Sequence, residues 1–240
     1  MSNSALAILL PPSEGKAPGG TGTWRAGSGR FGRQLGSSRR NVMESLVMAE
    51  GGDARLLGVN GSHLDRARAT NRALDGAPTM PAHERYTGVV WDHLSVGTLS
   101  QRARSRATES VVVLSGLLGL VGIDDRIPDY KLKMGASLPG LGKVSTWWRP
   151  RLSPVLNAWL DDGRPVVDLL PQEHRAAWSP EDSLGERRII VDFVNPTGRT
   201  VGHDAKAAKG LLVRHLLESK ESPGRALRTF RHPQFELRLG

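Results

Sequence analysis

Cysteine is absent from this 240-residue chain. That absence excludes disulfides, thiol catalysis, iron–sulfur clusters and cysteine-ligated zinc, and it fits a reducing cytoplasm. Long apolar runs are missing too. The longest, residues 111–123 (VVVLSGLLGLVGI), has thirteen residues and contains three glycines, against the roughly 20 needed to cross a bilayer. The opening MSNSALAILLPP has no basic segment before its short apolar run, so no secretory signal is expected. No GxSxG, P-loop, HExxH or post-strand GxGxxG occurs. The seven histidines are scattered, with none at metal-ligand spacing from a carboxylate. The expectation is a cytoplasmic protein with no membrane segment, no metal and no bound cofactor.

Acidic residues are in deficit. With 33 Lys and Arg against 24 Asp and Glu, the formal charge is +9, and such a surplus draws polyanions or phosphorylated metabolites through its field. The arginines in 25–40 and 102–106 lack interleaved aromatics and read as solvated surface. Glycine (28) and proline (15) are plentiful and predict many turns.

Strands are predicted at 5–10 (ALAILL), 88–91 (GVVW), 110–115 (SVVVLS), 165–170, 188–194 and 234–239. Helices are predicted at 34–50, 61–75 with Ser62 as N-cap, 98–107, 143–160 with Pro150 and Pro154 inside, and 203–219. Residues 17–33 form a long Gly/Ser/Arg loop. Its PGGTGT (18–23) is similar to the glycine loop of lysine-decarboxylase-like phosphoribohydrolases, but the glutamate of that pattern is Ala26 here. Helices and strands mix along the whole chain, which predicts one α/β (mixed α+β) domain over 1–240 with a central sheet.

SLPGLGKVSTWW (137–148) resembles the hairpin of a helix-hairpin-helix module. Gly140 and Gly142 would leave backbone N–H groups open to a phosphate, and Lys143 would add charge. A ligand-free glycine turn explains the same residues equally well.

Four stretches carry a wider likeness: LLPPSEGK (9–16), ERYTGVVW (84–91), SGLLGLVGIDDRIPDYKLKMG (115–135) and HDAKAAKG (203–210). Together they resemble the YaaA family of peroxide-stress-response proteins. The resemblance implies a mixed α/β domain with a helix-hairpin-helix-like element, placed here at 137–160. It also implies DNA binding and a role in limiting iron-linked oxidative damage. Ser13, Glu14, Lys16, Tyr86, Thr87, Ser115, Asp125, Tyr130, Met134, His203 and Lys206 match the family pattern. Leu118 replaces its tyrosine, Gly122–Ile123 its Arg-Pro, Asp129 its proline, and Lys131 and Lys209 two arginines.

Read as chemistry, a strand ending in Ser13, Glu14 and Lys16 sits where open α/β sheets place their ligands. Glu14 or Asp125 would activate water, with Ser115 and Tyr130 in the same crevice. Ser13, Lys16, Arg85, Thr87, Lys131, His203, Lys206 and Lys209 would bind a phosphorylated substrate, and Tyr86 or Tyr130 would meet a base. The plain alternatives are a surface ion pair for Glu14 and Lys16, a turn cap for Asp125 and a core ring for Tyr130. Two functions follow: hydrolysis of a nucleotide N-glycosidic bond, or binding of DNA without catalysis.

Overall fold

The computed structural model describes residues 6–195, 197–198 and 205–240. Its centre is a six-stranded sheet built from β1 (Ala7–Leu10), β2 (Val111–Ser115), β3 (Gly119–Gly122), β4 (Val166–Asp168), β5 (Arg188–Val194) and β6 (Glu236–Leu239). The spatial order is β6-β5-β4-β1-β2-β3. β1 lies parallel between β4 and β2, with Ile8 level with both Val167 and Val111. Every residue of β1 is buried, which explains why its sequence is uniformly apolar rather than alternating. The two edge strands, β3 and β6, run antiparallel to their neighbours.

Five longer helices accompany the sheet: α1 (Gly32–Met48), α2 (Gly61–Arg72), α3 (Gln101–Ser110), α4 (Val144–Leu160) and α5 (Lys206–Glu218). The mixed α/β architecture is as expected. Among the described residues no helix is long and apolar enough to cross a membrane.

Several local expectations are corrected. GVVW is not a strand: Val89–Leu94 form a helix that buries Trp91 and Leu94, a three-residue spacing that outweighs the β preference of two valines. This helix lies so close to α5 that a Cβ on Gly210 would sit 2.3 Å from the Val90 carbonyl oxygen. The N-cap of α2 is Asn60, with no side-chain cap bond, and not Ser62. The apolar run at 111–123 holds two strands. Gly119, at φ 68°, permits the reversal between them, and Ser115 Oγ accepts from Leu118 N at 3.1 Å within it.

At 137–160 a two-stranded ribbon, Ser137–Leu138 with Gly142–Lys143, leads into α4. A helix follows the glycine turn as expected, but a strand precedes it, because the turn pairs the chain with itself.

The arginine stretches are not simply solvated. Arg39 is 2% exposed. Arg106 donates to the Leu216 and Leu217 carbonyls at 3.1 and 2.8 Å, satisfying C-terminal acceptors of α5 that its own turn leaves unpaired.

Candidate functional site

Beyond Pro11 and Pro12 the chain leaves β1 and forms a short ribbon. Gly15 and Lys16 pair antiparallel with Thr87 and Tyr86. Ser13 Oγ donates to the Thr87 carbonyl. A Cβ on Gly15 would lie 2.9 Å from Thr87 Oγ1, so the close approach favours glycine. The LPPSEGK and YTG motifs are thus two strands of one structure.

Beneath the ribbon lies a chain of hydroxyls. Tyr86 and Tyr130 share a hydrogen bond at 3.0 Å, and Tyr130 and Ser115 another at 2.7 Å. All three side chains are buried. Burial pushes the Tyr130 phenol up to about 12 and raises that of Tyr86 well above its ordinary value. Both remain protonated at neutral pH.

Lys16 spans this layer and the surface. Its Nζ donates to the Ser13 carbonyl at 3.0 Å and sits 4.0 Å from the centre of the Tyr130 ring. Burial pushes its amine down to about 7, although aromatic faces favour the ammonium.

A cavity of ≈ 290 Å³ opens beside it, lined among others by Glu14, Lys16, His63, Arg66, Asp129 and Lys131. Glu14 is exposed and bridges Lys131 at 3.1 Å and Lys133 at 3.4 Å. Partial burial raises its carboxyl, but the bonds and charges of the two lysines outweigh that and hold it below its usual range. Asp129 pairs with Arg66 at 2.9 Å. Buried Asn71 fixes the lysine loop: its Oδ1 accepts from Lys131 N at 2.9 Å, and its Nδ2 donates to the Lys131 carbonyl at 2.8 Å.

Glu14, Lys16, Thr87, Tyr130 and Lys131 thus line the cavity, and Ser13, Tyr86 and Ser115 are tied to them by hydrogen bonds behind it. Asp125 does not join them at the cavity. Its carboxylate accepts from Arg30 N and Gly122 N, each at 2.8 Å, and it lines a separate cavity of ≈ 480 Å³ with Thr79 and Arg126. Arg85 is fully buried and donates to the carbonyls of Ala17, Gly19 and Pro78, which anchors the glycine loop. Lys209 reaches the Leu169 carbonyl at 3.0 Å, beyond β4; burial lowers its amine, with Arg175 adding to the effect. Lys206 opens α5. His203 lies outside the described residues. Gly140, Gly142 and Lys143 sit on the ribbon before α4, with both glycines at positive φ and space open where a Cβ would stand.

His63, Arg66 and Asn71 on α2 were not singled out in the sequence. His63 and Arg66 are three apart, as residues on one helical face are, but nothing in that spacing separates a cavity wall from a solvated face. Among the described residues no group of three or more His, Asp or Glu is placed to hold a metal ion.

The model of the family described as peroxide stress protein YaaA matches residues 6–239. The chain belongs to this family. A UPF0246 protein of Streptomyces coelicolor is 39% identical over 224 residues, covering 91% of this chain and 85% of the relative. A UPF0246 protein of Corynebacterium glutamicum is 32% identical over 222 residues (90% and 87%), and one of Corynebacterium efficiens 32% over 216 (89% and 86%). Within the YaaA family the departures at Asp129 and Lys131 are those that face the cavity, whereas Leu118 is core.

Proposed function

We propose that this YaaA-family protein binds a nucleotide in the Glu14 cavity and hydrolyses its N-glycosidic bond to free the base. The observation that carries the reading is an ionised carboxylate held by two lysines at the rim of a cation-lined cavity. Lys131 and Arg66, which line the cavity, would meet the phosphate. Glu14 faces the sugar, where its charge stabilises an oxocarbenium-like transition state and orients the attacking water. The C1′–N bond breaks with its electron pair going to the base, which takes up a proton; the water oxygen bonds to C1′ and loses one.

The test is incubation of the protein with a panel of nucleoside monophosphates and nucleosides, followed by chromatography for free base. Glu14→Gln is expected to lower kcat about 100-fold or more with little change in KM, whereas Lys131→Ala mainly raises KM. Because the Glu14 carboxyl lies below its ordinary value, activity persists to lower pH than an unpaired glutamate would allow. No base released from any substrate, or an unchanged rate for Glu14→Gln, overturns the reading.

A second reading rests on the exposed ribbon at 137–143 and the net charge of +9. Here the ribbon grips duplex phosphates. Lys143→Glu is then expected to weaken duplex binding at an unchanged melting temperature, with log Kd against log salt shallower by about one unit. Duplex binding that ignores salt, or ignores this substitution, rejects it.

A further inference from the structure

Three cations and two carboxylates surround the Glu14 cavity, and the carboxylates are already committed. Both Glu14 oxygens are taken by Lys131 and Lys133, and Asp129 by Arg66. Among the described residues no carboxylate oxygen lies within 4.0 Å of Lys16 Nζ. The acceptor that holds this amine is a single backbone carbonyl, that of Ser13. Its other surroundings are the Tyr130 and Tyr86 rings, at 4.0 and 5.6 Å, and the cavity it lines. A lysine meant only to grip phosphate gains from staying charged. One that is half-buried against two aromatic rings, with no carboxylate in contact, is on the way to being a free amine, which is a nucleophile, with Lys131 and Arg85 acting in that direction and Asp129 and Glu14 against it.

We propose that Lys16 acts as a nucleophilic amine that condenses with the aldehyde of an open-chain sugar phosphate held in this cavity. The inference rests on the nucleotide reading for the sugar phosphate alone, since hydrolysis at C1′ yields a sugar that opens to an aldehyde there. The Lys16 nitrogen attacks the aldehyde carbon and passes one hydrogen to its oxygen, giving a carbinolamine. The hydroxyl then leaves with the second hydrogen from nitrogen as water, and an imine remains. No oxidant or reductant is consumed. The charged groups around the amine are Glu14, Asp129, Lys131 and Arg85. With the amine brought down to about 7, about half is free base at pH 7, against less than about one part in a thousand for an ordinary lysine.

The experiment supplies ribose 5-phosphate and sodium cyanoborohydride to the intact protein and maps the product by digestion and mass spectrometry. Reduction of an imine adds the mass of the sugar phosphate less one oxygen. The expected result is labelling of the peptide carrying Lys16 at least about tenfold faster than that carrying the exposed Lys143 at pH 7. The Lys16 rate should rise with pH to about 7 and then level. Lys16→Arg, which keeps the charge, should remove that label and spare the others. Label distributed over surface lysines by exposure, or a label at this site that Lys16→Arg leaves intact, overturns the proposal. Labelled Lys16 together with no base release rejects the hydrolase and keeps the amine; base release with unlabelled Lys16 does the reverse.

Discussion

Arg39→Met is expected to destabilise the protein by about 3–5 kcal/mol. The guanidinium is 2% exposed and faces backbone carbonyls in place of a carboxylate. Nε donates to Leu118 at 2.9 Å, Nη1 to Ala26 at 3.0 Å and Ser28 at 2.7 Å, and Nη2 to Leu120 at 2.9 Å. Burial lowers its pKa to about 10, so it is still charged at neutral pH. One planar fork thus ties the 26–28 loop to the reversal between β2 and β3. Methionine fills much of the volume but leaves four carbonyls without that donor, and each unsatisfied buried group costs about 1–3 kcal/mol before relaxation. Arg39→Lys should recover little, since one ammonium cannot reproduce the fork. Urea unfolding gives the answer: the midpoint should fall with the slope unchanged. A loss below about 1 kcal/mol would mean that water or relaxation replaces the bonds.

The second large effect is expected at Asp168, at the end of β4. Its side chain is fully buried. Oδ2 accepts from Arg188 Nη2 at 2.6 Å and from Arg175 Nε at 3.2 Å, and Oδ1 from Leu170 N at 2.9 Å. Asp168→Ala removes the anion and leaves two guanidiniums facing each other with Lys209 near. Breaking a buried pair in this way costs about 3–5 kcal/mol. The diagnostic is the double variant: adding Arg188→Met should restore part of the loss, because the stranded charge goes with it. Strictly additive losses would show that packing, and not charge, governs the position.

How much of this was legible in the sequence depended on the kind of signal. Strand 188–194 was bounded correctly because RIIVDFV is β-branched and flanked by turns; the strand expected at 5–10 is found over Ala7–Leu10, since a short apolar run stopped by two prolines has few other outcomes. Polar residues at strand ends are expected to share a crevice, and Glu14, Lys16, Tyr130 and Lys131 do, whereas Asp125, expected with them, lines another cavity. Local pattern failed where long-range contact decided. Nothing near Arg39 in the chain reveals the four carbonyls it meets. Asp125 looks like a functional carboxylate until Arg30 and Gly122 are seen donating to it, and the strand before the 140–142 turn exists because Lys143 returns to pair with Ser137. Arg66 and Asn71 were hidden for the same reason, since a polar helix face reads alike whether water or a cavity covers it.

β1 lies in the middle of the sheet yet comes before the other five strands in the chain. Its two neighbours are residues 111–113 and 166–168, so AILL has no lateral partner until much of the chain has been made. The ladder that flanks the Ser13–Lys16 loop on both sides closes late, after large loops have lost their entropy. Acquisition of the site is therefore expected among the last events of folding, and the nascent chain carries an unpaired apolar strand until residues 111–113 have been made, a segment of the kind that chaperones hold.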